Sequence, residues 1–242
     1  MLRVLLLILL LMSVAGVASA YAGSPAADPR VHPGADRAER SPAAEPPVLL
    51  VLGDSLSAAY GLPLDQGWVS LLQARIRERG LGYQVVNAAI SGDTIAGGLS
   101  RLPDLLATHS PAIVLIELGA NDGLRGFPPS KIEDDLVSLV EQARASGAQV
   151  VLIGVRLPPN YGSAYTERFQ RLYATVAERT GAALVPRLLA GVAEDRGQMQ
   201  DDGLHPTAAA QPRILDNVWP VLAPLLDESE TSPTDPRSLV AE

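Results

Sequence analysis

A chain of 242 residues with 47% hydrophobic content and no cysteine is long enough for one domain with a sizeable core. It must hold that core without disulfides, and thiolate metal sites, a cysteine nucleophile and lipid attachment through an N-terminal cysteine are all excluded. Lys and Arg number 19 against 27 Asp and Glu, a formal net charge of −8, so the protein has no electrostatic footprint for nucleic acid.

The chain starts as an export signal would. Arg3 supplies a positive charge, Val4–Met12 is an apolar run, and Ala18-Ser19-Ala20 is a small-x-small cleavage site, which predicts a signal peptide over 1–20. The expected location is therefore periplasmic or secreted. An uncleaved membrane anchor is the alternative, because no charge falls between Arg3 and Asp28 and that length approaches the ~20 residues of a membrane span. The small, weakly hydrophobic Ser13–Ala22 half favours cleavage. Residues 21–46, rich in Ala, Pro and charge and without periodicity, read as a flexible linker, and 227–242 as an acidic tail of the same kind. The folded domain is expected over 47–226, with no internal repeat.

Within it, Val48–Leu52 is an apolar run of strand length. Helical spacing marks Gly67–Arg79, Thr94–Ala107, Pro129–Ala145, Tyr165–Arg179 and Thr207–Leu226. Between them, Tyr83–Val86, Ala112–Leu118, Gln149–Val155 and Ala183–Val185 read as strands. Strands alternating with helices predict an α/β fold, a parallel sheet with helices on both faces. The strands are continuously apolar, as expected when both faces are covered.

In such sheets ligands bind at the carboxyl ends of the strands. Three polar turns follow strands directly: Gly53-Asp54-Ser55, Ser91-Gly92-Asp93 and Gly119-Ala120-Asn121-Asp122. Each has an ordinary structural explanation, since Gly-Asp-Ser is a common helix cap and the others are common turn formers. Together, on one sheet edge, they assemble chemistry. A serine nucleophile needs a base, usually histidine. Of the three histidines, His32 is in the linker and His109 precedes a strand, at the opposite edge; His205, in a polar loop before the last helix, remains. Asp202, three residues earlier, is placed to orient the imidazole, with Asp201 as the competing carboxylate. The Ser55 and Gly92 backbone N–H groups and the Asn121 side-chain amide are candidate donors to a developing oxyanion.

The strings "GDSLS", "SGDT", "GAND" and "DGLHP" resemble, in order and spacing, the four blocks of the SGNH (GDSL) hydrolases over about 48–226. The longer strings "VNAAISGDT", "RLPDLL", "ELGANDGLRGF", "RLPPNYG" and "MQDDGLHP" resemble the bacterial periplasmic multifunctional thioesterase I, lysophospholipase and arylesterase group. The resemblance implies a three-layer, flavodoxin-like sheet. It also implies a triad of Ser55, Asp202 and His205 with an oxyanion hole of Ser55, Gly92 and Asn121. The expected activity is hydrolysis of small-molecule carboxylic esters and acyl thioesters by a monomer, without metal or cofactor, and with transient contact to lipids. Leu124 and Phe127 in 122–129, and Leu157, Pro158 and Tyr161 in 156–165, are candidate acyl-chain contacts, unless they only pack their loops onto the sheet.

Three other functions compete. The same machinery would serve a short-chain carbohydrate deacetylase or an acyltransferase. A nucleotide- or flavin-binding module would need a phosphate-cradling loop, and "GDSLS" fits neither glycine pattern. A binding protein without chemistry would not need an intact triad.

Overall fold

The computed structural model describes residues 45–228. The expected signal peptide, most of the linker and most of the tail lie outside them. The sheet has five strands, β1 (Val48–Gly53), β2 (Gln84–Asn87), β3 (Ile113–Glu117), β4 (Gln149–Ile153) and β5 (Ala183–Val185), in the order β2-β1-β3-β4-β5. Every pairing is parallel. The helices are α1 (Trp68–Glu78), α2 (Ile95–His109), α3 (Ala120–Leu124), α4 (Pro129–Ala145), α5 (Ser163–Thr180) and α6 (Gln211–Glu228).

The unbroken apolar runs of the central strands have the expected consequence. Leu49 through Leu52 and Ile113 through Ile116 are wholly buried, because helices cover both faces. Right-handed crossovers place the helices. The chain steps from β1 to β2 in one direction and from β3 through β5 in the other. This puts α1 on one face, where it packs on α6, and α2, α4 and α5 on the other, where they pack in sequence. The reversal falls between β1 and β3, so the connections leaving those two strands diverge and open a crevice at their carboxyl ends.

Most expected elements are found within two residues of their observed ends. Two differ in kind. Gly119-Ala120-Asn121-Asp122 is not an open turn, because a short helix, α3, starts at Ala120. Three tyrosine hydroxyls brace it: Tyr161 donates to Leu124 O at 3.1 Å, Tyr165 to Gly123 O at 3.1 Å, and Tyr173 to Leu118 O at 3.0 Å. The last helix does not start at Thr207, which instead precedes a 3-10 turn over Ala208–Ala210, and α6 follows from Gln211. At its other end α6 continues to Glu228, into the stretch read as tail.

Candidate active site

The nucleophile turn begins where β1 stops. Gly53 lies opposite Glu117 of β3, and a Cβ on Gly53 would stand 2.8 Å from Ser57 and 3.1 Å from Glu117, so only glycine fits. Asp54 is buried and folds the chain over itself: Leu56 N–H donates to its Oδ1 at 3.0 Å and Ala58 N–H to its backbone oxygen at 2.9 Å. No helix begins at Ser55, and α1 starts only at Trp68. The helix-cap explanation of Gly53-Asp54-Ser55 therefore does not hold here.

The histidine arrives on a tight hairpin-like loop. Met199 and Pro206 bridge antiparallel, and Gln200 N–H donates to His205 O at 2.7 Å. Inside this loop Asp202 Oδ1 accepts from the backbone N–H groups of Leu204 at 2.9 Å and His205 at 3.0 Å. Its other oxygen, Oδ2, meets His205 Nδ1 at 2.6 Å. The His205 side chain, and then these backbone donors, hold the Asp202 carboxyl down at about 2. With Nδ1–H donated to a carboxylate, Nε2 carries the lone pair. It stands 2.9 Å from Ser55 Oγ, so the hydroxyl donates to it. Asp201 is exposed and takes no part in the His205 contact. His109 closes α2 before β3, at the far edge of the sheet.

Two contacts that sequence reasoning missed tie the histidine loop to the nucleophile loop. Gln200 Nε2 donates to Tyr60 O and to Pro206 O, both at 2.9 Å. The Tyr60 ring lies 4.3 Å from the His205 ring, centroid to centroid. No periodicity marks either residue, because each acts across a long loop.

Gly92 and Asn121 close the third side. Gly92 has φ +79°, a conformation open to glycine with little cost. Its loop is held by Arg101, which ion-pairs with Asp93 at 2.5 Å and donates to Ala88 O at 2.8 Å. Asn121, in the first turn of α3, donates its Nδ2 hydrogens to Asp54 Oδ2 at 3.0 Å and Asp93 O at 2.9 Å. Both amide hydrogens are thus engaged, and an oxyanion would have to share or displace one of these acceptors.

Ser55, Gly92, Asn121 and His205 line one cavity of about 410 Å³. Its apolar wall includes the expected Leu124, Leu157 and Pro158, together with Leu56, Tyr60, Val155, Leu189 and Leu204, which were not expected. The other two candidates lie elsewhere. Tyr161 spends its hydroxyl bracing α3, and Phe127, 37% exposed, sits outside the cavity lining. A second cavity, of about 570 Å³, shares Arg156, Leu157, Pro158, Leu189 and Leu204 with the first, so the cleft continues past the serine. Among the described residues no group of three or more His, Asp or Glu is placed to hold a metal ion.

Residues 51–212 match the model of the GDSL-like Lipase/Acylhydrolase family. The chain belongs to this family. Esterase TesA of Pseudomonas aeruginosa is 59% identical over 178 residues, covering 74% of this chain and 89% of that protein. The Escherichia coli (strain K12) protein named thioesterase 1/protease 1/lysophospholipase L1 is 43% identical over 185 residues, covering 76% of this chain and 88% of its own length. A crystal structure of TesA superposes with a TM-score of 0.72 at 58% identity, over 74% of this chain and 99% of that one. As a member of this family, the chain carries the expected three-layer parallel fold, with the serine turn at the carboxyl edge of β1 and the asparagine at that of β3.

Proposed function

We propose that this protein hydrolyses carboxylic esters and acyl thioesters through an acyl-enzyme on Ser55. One observation carries the reading: Ser55 Oγ, His205 Nε2, His205 Nδ1 and Asp202 Oδ2 are connected by contacts of 2.9 and 2.6 Å at the mouth of an apolar cleft. The Ser55 oxygen attacks the acyl carbon as its proton passes to His205 Nε2, and the imidazolium that forms is stabilised by Asp202. The tetrahedral oxyanion faces the backbone N–H groups of Ser55 and Gly92 and the Asn121 amide. As the carbonyl re-forms, the bond to the alcohol or thiol breaks and the leaving group takes the proton from His205. Water, deprotonated by His205, then releases the acid and restores Ser55. The names of the relatives, an esterase and a thioesterase with lysophospholipase, support both leaving groups. The test is hydrolysis of a p-nitrophenyl acyl ester with loss of activity on treatment with a serine-directed phosphonate. Hydrolysis that survives full phosphonylation of Ser55 would remove it from the mechanism.

An acyl chain suits the cleft better than acetate does, because its wall is built of Leu, Val, Pro and Tyr side chains. Each buried methylene contributes about 0.8 kcal/mol, or nearly fourfold in kcat/KM. The specificity constant is expected to climb with acyl length and level off when the cleft is full. Leu204, 42% exposed, can be cut to alanine without opening the core, and Leu204→Ala is expected to flatten that climb. A flat dependence from two to ten carbons would favour the short-chain deacetylase function instead.

Contact with lipids is supported by the rim. Tyr60, Leu64, Ile90, Phe127 and Leu204 are the large apolar side chains left exposed among the described residues. All five sit in segments that follow a strand, on the side where the cleft opens. Export is supported by the sequence of residues 1–20, and the mass of the mature N-terminus, starting at Tyr21, tests it.

A further inference from the structure

Beside the nucleophile turn lies a pair of acids that the acyl-transfer steps do not use. Glu117 ends the central strand β3, wholly buried, and Asp54 is 1% exposed. Ser57 Oγ–H donates to Glu117 Oε2 at 2.7 Å and Asp54 N–H reaches the same oxygen at 3.3 Å. Glu117 Oε1 is buried and receives no hydrogen bond. Both Asp54 oxygens are acceptors: Oδ1 takes Leu56 N–H at 3.0 Å and Oδ2 takes the Asn121 amide at 3.0 Å. The Asp54 N–H on Glu117 Oε2, and the register that sets Gly53 opposite Glu117, bring the two carboxyl groups together beside the turn.

Two buried carboxylates side by side strongly disfavour both being charged, so one of them keeps a proton. The donor pattern says which one keeps the charge. Asp54 is surrounded by N–H donors on both oxygens, whereas Glu117 has one oxygen with no donor. We infer that the Asp54–Glu117 pair holds a single proton, on Glu117, and that Glu117 is a positioning residue, fixing Asp54 as the acceptor that orients both the Ser55 turn and the Asn121 amide. This rests on the proposed roles of Ser55 and Asn121.

The electrostatics agree with the geometry. Burial, and then the neighbouring Asp54 charge, push the Glu117 carboxyl well above its ordinary range. Burial also lifts Asp54, to about 6, against the pull of its hydrogen bonds from Leu56, Glu117 and Asn121 and of His205 nearby. Of the other titratable groups facing the pair, only His205 can carry a positive charge, and only as the imidazolium. Asp122 of α3 accepts from Ile95 N–H, the Tyr173 hydroxyl of α5 is buried and donates to Leu118 O, and His205 is neutral when it accepts from Ser55. Arg101, which holds the Gly92 loop, directs its terminal nitrogens to Asp93 and Ala88 O.

The sign of the pH dependence follows. A glutamic acid whose folded pKa is raised stays protonated in the folded state after it ionises in the unfolded chain, at about pH 4.3. The unfolded state then binds fewer protons, so stability falls as pH rises above that value towards the folded pKa. Glu117→Gln keeps a donor to Asp54 and an acceptor for Ser57 but cannot ionise, and it is expected to reduce this fall.

The decisive experiment reads the carboxyl directly. In the full protein labelled with ¹³C at the glutamate side-chain carboxyl carbons, one carboxyl resonance is expected to remain at the protonated position at pH 7 while the others titrate near their ordinary range. Assignment by Glu117→Gln should remove that resonance alone. All glutamates ionised at pH 7 would overturn the proposal. Kinetically, Glu117→Gln is expected to hold kcat within a few-fold and Glu117→Leu to lose about tenfold or more in kcat with KM little changed. A Gln variant as impaired as Leu would also overturn it. The resonance does not depend on turnover, so failure of the Ser55 mechanism and failure of this inference are separable.

Discussion

Ser55→Ala is expected to lower ester hydrolysis by about 10⁶-fold, the scale seen when the nucleophile of a triad is removed. The hydroxyl makes its contact with His205 Nε2 at the mouth of an open cleft, so its loss leaves an imidazole nitrogen that water can reach. Thermal stability should therefore change by no more than about 0.5 kcal/mol. His205→Ala should cost a similar factor, and the double variant should be no worse than either, because the two groups act as one unit. His109→Ala, at the far edge of the sheet, should leave the rate and its pH dependence unchanged. The assay is hydrolysis of a p-nitrophenyl ester beside a melting curve. Additive losses in the double variant, or an active Ser55→Ala protein, would mean that the 2.9 Å contact is not catalytic.

Asn121→Ala should lower kcat by ~10²–10³ with a smaller effect on KM, the usual loss for one oxyanion donor. Unlike Ser55, this residue has structural duties as well. Its Nδ2 holds Asp54 Oδ2 at 3.0 Å and Asp93 O at 2.9 Å, which joins the β1 turn to the Gly92 loop. Removing it leaves a buried Asp54 oxygen short of a donor, a loss of ~1–3 kcal/mol. The variant should thus melt lower and turn over slowly. Asn121→Asp separates the two effects: it keeps the size but brings a carboxyl beside Asp54, and it should be worse than alanine in both respects. If Asn121→Ala melts lower but keeps its kcat, the residue only fastens the two loops together.

Some of this protein could be read from the chain alone. The strand–helix alternation, the continuous apolar runs of β1 and β3 and the glycine-marked turns are local properties. They predicted a parallel sheet whose strands the structure finds. The meeting of Ser55 and His205 was legible in the same way, since the rule that polar turns after strands share one edge discards His109 without coordinates. Asp202 and its histidine are only three residues apart, so their contact was legible too, and the structure separates Asp202 from Asp201 by which carboxylate the loop turns inward.

Tertiary structure decided what depends on the meeting of distant segments. Asn121 sits in a helix, not a turn, because tyrosines from 161 to 173 brace α3 from another part of the chain. Tyr161 is one of those braces for the same reason, and so it does not line the cleft. Gln200 bonds to a carbonyl 140 positions away, and Tyr60 packs on the ring of His205, neither of which leaves a periodic mark in the sequence. Glu117 is the clearest case. In sequence it is a single charge within Ala112–Leu118, a run otherwise apolar, and nothing local marks it as buried. Only the parallel register that sets it opposite Gly53 buries it beside Asp54, because register is fixed by the packing of whole strands and not by any residue in them.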